Sequence, residues 1–284
     1  MSKVGIVTDS TNCLPPELIK EYGIRVAPVH LIIDGKDYRD QVDITPSEFW
    51  RIFKGLKVLP TTSAAGPGDW VSAITEMAKS TDNIVCIPLS KKLSATHEGA
   101  VQARDIMKSE HPNLSIEVID SETATGAQGF VALEAARAAH AGKSLAEVVK
   151  VIQDMLPRVK FFMSPDTLKY LIKIGRAPKT AIIGDLLQVK PILGMVNRTG
   201  LVENLGRTRG KRKAMAKMVD MIKEHIDTVR PVHIIVHYSE RIEDVEELKE
   251  MVTSRYNCSE VYVSEFTPVM ATALGPVVGL AFYS

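Results

Sequence analysis

The chain has 284 residues, 45% hydrophobic and 24% charged, with a formal net charge of +1. These are ordinary values for one large globular domain or two average ones, and the balanced charge gives no electrostatic case for nucleic acid or an anionic membrane as partner. No apolar run is long enough to span a membrane and the N-terminus shows no leader-like apolar region. The three widely spaced cysteines (Cys13, Cys86, Cys258) fit a reduced, cytoplasmic protein.

In chain order, VGIVTDS (4–10) reads as a buried strand. A helix opens at Pro15-Pro16-Glu17 and stops at Gly23, and RVAPVHLII (25–33) reads as one further strand. Thr45-Pro46-Ser47-Glu48 combines a cap, a proline at the first helical position and a capping-box glutamate. A helix is expected over 69–79, then strand 83–90, helix 95–108, strand 115–121 and helices 126–141 and 145–156, the last opened by the capping box Ser144–Glu147. This alternation implies a parallel sheet covered on both faces. The second half reads as strands 160–164, 189–196, 232–238, 260–266 and 278–283, with helices near 166–174, 178–187, 210–228 and 241–254. The fold class is therefore α/β in two domains, 1–157 and 158–284, packed against one another.

Hydroxyl side chains recur where strands end. Strand one closes with Thr8-Asp9-Ser10-Thr11, and the junction LPTTSAAGPGDW (59–70) carries Thr61, Thr62 and Ser63. Ser90 and Ser94-Ala95-Thr96 follow the strand at 83, and Asp120-Ser121-Glu122-Thr123 follows the strand at 115. In an open parallel sheet, ligands bind beyond these carboxyl ends. Helix N-termini with neutral hydroxyl donors suit an anion, although each Ser or Thr also serves as an ordinary cap or turn former.

Other chemistry is missing. No Gly-x-Ser-x-Gly elbow occurs. Gly142-Lys143-Ser144 imitates the end of a phosphate-binding loop, but the first glycine of that motif falls on Arg137. His233 and His237 stand about 13 Å apart along a strand, too far to chelate one metal. His97 is the one histidine near the crevice and offers a switchable donor. Asp9 and Asp120 end strands, where each is a turn holder or, alternatively, the base of a stand-alone small-molecule kinase or hydrolase. The run Arg207–Lys213 is the densest positive charge and lacks interleaved aromatics, which argues against single-stranded nucleic acid. No cofactor or metal is expected.

Taken in order and spacing, VGIVTDSTNCLP, PTTSAAGPGDW, PLSKKLSATHEGA, VIDSETATGAQG, YLIKIGRAP, GDLLQVKPIL, RGKRKAM and GLAFYS resemble the DegV family of bacterial fatty-acid-binding proteins over the full length. The resemblance implies an N-terminal Rossmann-like domain with a parallel sheet and a C-terminal α/β domain, with a long-chain fatty acid between them. It implies an acyl carrier without its own catalysis, which presents the carboxylate to an ATP-dependent kinase subunit. By position, Thr62 and Ser94 resemble the hydroxyls that hold the carboxylate, with Ser63, Ala95, Thr96, His97 and Ser121 beside them. Arg176 resembles a wall of the head-group site. Arg209, with Lys211 and Arg212, resembles the surface that meets the kinase. The chain departs from the family at Ala95 for glycine, Ala64-Ala65 for Gln-Pro, His97 for an aromatic residue and Ala273 for a carboxylate-holding histidine. The expected apolar wall includes Ile192, Leu193 and Phe282, with Met195 able to adapt to kinked chains.

Overall fold

A computed structural model describes residues 4–181, 189–240 and 242–284. The first half contains β1 (Gly5–Asp9), α1 (Pro16–Glu21), β2 (Arg25–Ala27), β3 (His30–Ile33), β4 (Lys36–Arg39), α2 (Pro46–Phe53) and β5 (Thr61–Ser63). It continues with α3 (Pro67–Ala78), β6 (Asn83–Ile87), α4 (Thr96–Glu110), β7 (Ser115–Val118), α5 (Thr125–His140) and α6 (Leu145–Met155). The second half contains β8 (Lys160–Pro165), α7 (Lys169–Lys173), β9 (Val189–Met195), β10 (Glu203–Arg209), α8 (Lys211–Met221), β11 (Val232–Tyr238), α9 (Glu243–Thr253), β12 (Cys258–Glu265), α10 (Pro268–Leu274) and β13 (Val277–Tyr283). Among the described residues no helix is long and apolar enough to cross a membrane.

A four-stranded sheet in the order β2-β1-β6-β7 is parallel throughout. Because successive side chains alternate faces, its apolar runs feed two cores. Ile6, Val85 and Ile87 join the cluster built on α5 and α6, whereas Val7, Ile84 and Cys86 join the one built on α3 and α4. Continuous burial of β1 is thus the mark of a sheet covered on both sides. Both expected capping boxes form, Thr45 with Glu48 and Ser144 with Glu147.

A six-stranded sheet, β10-β9-β8-β13-β11-β12, carries the second half; β11 and β12 run parallel and the other pairs antiparallel. The same alternation sorts its side chains. Phe161, Met163, Leu193 and Met195 share a core with α5, while Phe162, Ile192, Ile234 and Phe282 pack with residues of α8 and α9. One apolar core therefore joins the two sheets.

Three expectations change, and a fourth falls mostly outside the described residues. Pro28 cannot donate to a ladder, so 25–33 divides into β2 and β3. The latter heads a separate antiparallel sheet, β4-β3-β5. The junction at 61–63 is strand β5 of that sheet, not a turn at the end of a parallel strand. Residues 203–209 form β10, so the basic run starts on a strand. The helix expected over 178–187 lies mostly outside the described residues; only a 3₁₀ turn, Lys179–Ala181, is seen.

Candidate functional site

A cavity of about 580 Å³ is lined by β5, by residues that follow β1 and β6 (Thr11, Leu89) and by β8 and β9 of the six-stranded sheet; its volume is within the roughly 300–1,000 Å³ typical of small-molecule sites. Its apolar wall includes Phe161, Met163, Met195, Val269, Met270 and Leu274. Its polar residues include Thr61, Thr62, Ser63, Ser94, Lys173 and Arg176. Thr61–Ser63 are exposed while Phe161 and Met163 are buried, so the hydroxyls mark the mouth and the hydrocarbon lies inside.

Strand pairing presents Thr62: it stands opposite Leu31 on the outer strand of the antiparallel sheet. Ser94 is held by the residue two positions on. Thr96 N–H donates to Ser94 Oγ at 3.2 Å, and the two hydroxyl oxygens lie 2.9 Å apart. Thr96 Oγ1 also accepts from Ala65 N–H at 3.3 Å. When Thr96 donates its hydroxyl proton to Ser94, the Ser94 proton is left to point at a ligand, and two incoming donors strengthen it. Arg176 crosses from the second half and donates through Nε and Nη2 to Leu93 O, at 3.0 and 2.7 Å. Lys173 Nζ donates to Leu59 O in the same way. Both cations bond carbonyls and have no ion-pair partner among the described residues, so their charge is available to an anion at the mouth.

Of the expected site residues, Thr62, Ser63, Ser94, Ala95 and Arg176 line the cavity. Thr96, His97 and Ser121 do not. Thr96 is fully buried and positions Ser94 instead. His97 follows Thr96 on α4, which carries it round the helix to where Asp120 and Lys91 act on it; burial lowers its pKa. Ser121 is buried and closes a local turn, donating to Thr123 O at 3.0 Å. The expected wall is also corrected. Ile192 and Phe282 occupy the strand parity that faces α8 and α9, and Leu193 packs in the shared core without reaching the cavity, whereas Met195 lines it.

Sequence reasoning missed Lys173, Thr125 and, apart from Ala273, the helix α10, which supplies Val269, Met270, Ala273 and Leu274 to the cavity. The signal for α10 was present: Thr267-Pro268 repeats the cap-then-proline logic of Thr45-Pro46. Across the two halves, Val269 N–H donates to Asp40 Oδ1 at 3.1 Å. Burial pushes the Asp40 carboxyl up to about 7, against that hydrogen bond from Val269 N–H.

Asp9 is committed to the fold. Oδ1 meets Thr11 N at 2.9 Å and Thr11 Oγ1 at 2.5 Å; Oδ2 accepts from Leu89 N at 2.7 Å and Gln128 Nε2 at 3.0 Å. Thr11 Oγ1 also lies 2.9 Å from Gln128 Oε1. One hydroxyl proton cannot serve two acceptors. A proton on Asp9 resolves the count, since the acid then donates to Thr11, which donates onward to Gln128. Burial raises the Asp9 pKa in the same sense. Asp120 accepts from Lys91 N and Glu122 N and holds its turn.

His30, opposite Ser63 across the strand pair, bridges Asp37 at 3.0 Å and Asp69 at 3.2 Å. Asp69 in turn accepts from Gly66 N–H at the start of α3. Burial pulls the His30 pKa down, but the hydrogen bonds to Asp37 and Asp69 outweigh it and raise the value. The stabilisation is complete below the ordinary histidine value of about 6.5 and is lost as pH rises through the raised one. Thermal denaturation from about pH 6 to about pH 9 should show the wild type losing stability relative to His30→Gln. Parallel pH curves for the two proteins would remove His30 from this role.

These features define an α/β protein with an apolar chamber whose mouth carries hydroxyls and cations. The family model described as an uncharacterised protein of the DegV family matches residues 3–284, and the chain belongs to that family. A DegV domain-containing protein of Caldanaerobacter subterraneus subsp. tengcongensis is 35% identical over 285 residues, covering 100% of this chain and 99% of the relative. A DegV-family structure from Thermus thermophilus, described as fatty acid binding, aligns with a TM-score of 0.90 at 29% identity over 100% of both chains. DegV of Bacillus subtilis, described as a fatty acid binding protein, aligns at 0.87 and 29% identity over 100% of this chain and 99% of that one.

Proposed function

We propose that this chain binds one long-chain fatty acid in the cavity, with its carboxylate on Thr62, Ser63, Ser94 and nearby backbone N–H groups, and the charge of Arg176 and Lys173 beside it. The observation that carries this is the join of an apolar chamber to a mouth of neutral hydroxyls at one opening. Each hydrogen bond to the carboxylate contributes about 1.5–3 kcal/mol, and each buried methylene about 0.8 kcal/mol, so the tail supplies most of the affinity. The halves 1–157 and 158–284 act as two domains, the first holding the head group and the second closing the tail chamber. Free Cys13, Cys86 and Cys258 agree with a reducing, cytoplasmic setting.

The bound acid is a carrier's cargo, presented to a separate ATP-dependent kinase subunit for acyl-phosphate formation. Support comes from the basic surface. Arg209 ends β10 exposed, and Lys211, Arg212 and Lys213 fill the first turn of α8, the end of a helix that disfavours positive charge. Lys211 is held by Asp244 and Arg212 by Glu247 at 2.7 Å, while Arg209 has no ion-pair partner among the described residues. An acidic partner completes this surface.

Mass spectrometry of the organic extract of the denatured, purified protein tests the cargo. A stoichiometric fatty acid is expected; its absence, together with ATP turnover by the isolated chain, would favour an enzyme instead. Arg209→Glu should leave fatty acid affinity within about twofold and lower kinase-dependent phosphorylation at least about tenfold, because a reversed rim charge acts on association. Weakened lipid binding in that variant would contradict the surface assignment.

A further inference from the structure

Helix α10 is a short wall whose two ends are tied to different halves of the chain. It has seven residues, Pro268–Leu274, too few to be stable without outside contacts. It packs against β3, β5 and α7, of which β5 carries Thr62 and Ser63 and α7 carries Lys173. It gives Val269, Met270, Ala273 and Leu274 to the cavity. Just past its C-terminal end, Ser239 Oγ donates to Gly275 O at 2.7 Å, within the second half. That end is tightly packed, since an added Cβ at Gly275 would come within 2.1 Å of the Tyr170 ring. The N-terminal end is capped from elsewhere. Thr267 holds the N-cap position, yet it makes no cap bond and its hydroxyl is buried without a hydrogen-bond partner. Pro268 has no N–H to cap, and the next residue, Val269, donates to Asp40 Oδ1 at 3.1 Å. Asp40 follows β4 in the first half, 229 residues away in sequence, and is 1% exposed. Its Oδ2 is buried with no hydrogen-bond partner, so hydration lost there is not replaced and a charge on the group is costly.

We propose that Asp40 is a positioning residue for the fatty acid chamber: by capping α10 from the opposite half it holds that wall closed, and ionisation of its carboxyl loosens the wall and speeds release of the bound acid. This rests on the fatty acid reading above and deepens it. A neutral Asp40 caps Val269 N–H through its carbonyl oxygen and buries no charge. The ionised form gains from the helix N-terminus but loses its hydration, and burial wins, raising the carboxyl from an ordinary 3.8 to about 7. When α10 moves away, Asp40 meets water and returns to its ordinary value. Between these two values opening releases a proton, so its equilibrium constant rises by up to about tenfold per pH unit; above the raised value both states are ionised and the rise ends. Asp9 faces Asp40 from the end of β1 and Cys13 from the turn that follows, and burial raises both. Helix α10 and strand β5 carry no titratable side chain. His30 on β3 is engaged by Asp37 and Asp69, and Arg39, the chain neighbour of Asp40, by Asp43 at 2.9 Å.

The test is the release of radiolabelled palmitate from the loaded, full-length protein into excess serum albumin, from about pH 5 to about pH 9, for the wild type, Asp40→Asn and Asp40→Ala. Ionisation of palmitate itself is common to all three. Wild-type release should accelerate at least about tenfold between about pH 5 and about pH 7 and then level off. Asp40→Asn keeps an acceptor for Val269 N–H but cannot ionise, so its release should stay slow across the range. Asp40→Ala lacks the cap and should release at least about tenfold faster than the wild type at about pH 5. Parallel pH curves for the wild type and Asp40→Asn, as a merely structural Asp40 would give, overturn the inference, and so does wild-type release from Asp40→Ala at the acid end. Should the alanine variant not fold, the wild type and the asparagine variant decide. In ligand-free protein, hydrogen exchange of the α10 amides, corrected for intrinsic rate, should lose protection over the same pH rise in the wild type and keep it in Asp40→Asn. Equal loss in both overturns the hold of Asp40 on α10 without reference to any lipid. A wild type that never loads palmitate sinks the fatty acid reading, and with it the release step.

Discussion

Replacing Thr62 or Ser94 with alanine is expected to weaken fatty acid binding about tenfold to a hundredfold, since each change removes a hydrogen bond worth roughly 1.5–3 kcal/mol to a charged acceptor. Neither change threatens the fold. Thr62 is exposed on an outer strand, and its ladder bonds are backbone bonds that alanine preserves. Ser94→Ala leaves Thr96 still accepting from Ala65 N–H and removes the hydroxyl that faces the cavity. Thr96→Val, which disorients Ser94 without touching the ligand, should fall between wild type and Ser94→Ala. Titration with palmitate reads all three. Wild-type affinity in both Thr62→Ala and Ser94→Ala would discard the carboxylate assignment.

Asp9→Ala should cost about 2–6 kcal/mol of folding stability, measured by urea denaturation. The substitution strips a partner from the buried N–H groups of Thr11 and Leu89, at roughly 1–3 kcal/mol each, and also unpairs Gln128 from the acid. Asp9 joins the ends of β1 and β6 to α5, so the loss is felt by three elements at the floor of the site. A catalytic base predicts the opposite pattern, with near-wild-type stability and abolished turnover.

Elements written in local chemistry were legible: the parallel core from its alternation of apolar runs with capped helices, and the capping boxes at Thr45 and Ser144. So were Thr62, Ser63, Ser94, Ala95 and Arg176, which the family resemblance placed and the cavity brings together. What escaped depends on partners distant in sequence. Nothing local tells 61–63 that its strand mate is 30–32 rather than the parallel sheet. Apolar character alone made Ile192 and Phe282 eligible as cavity wall; only the register of β9 and β13 decides which parity faces inward. Thr96 and Ser121 shared the hydroxyl signal of Ser94, and a hydroxyl spent on its own backbone looks the same in sequence as one offered to a ligand.

The most direct measurement is a crystal structure of the protein with palmitate. It should place the carboxylate oxygens within hydrogen-bonding distance of Thr62 and Ser94 and the hydrocarbon among Phe161, Met163, Met195 and Met270. An acid bound outside this chamber, or a chamber still empty at saturating palmitate, would contradict it.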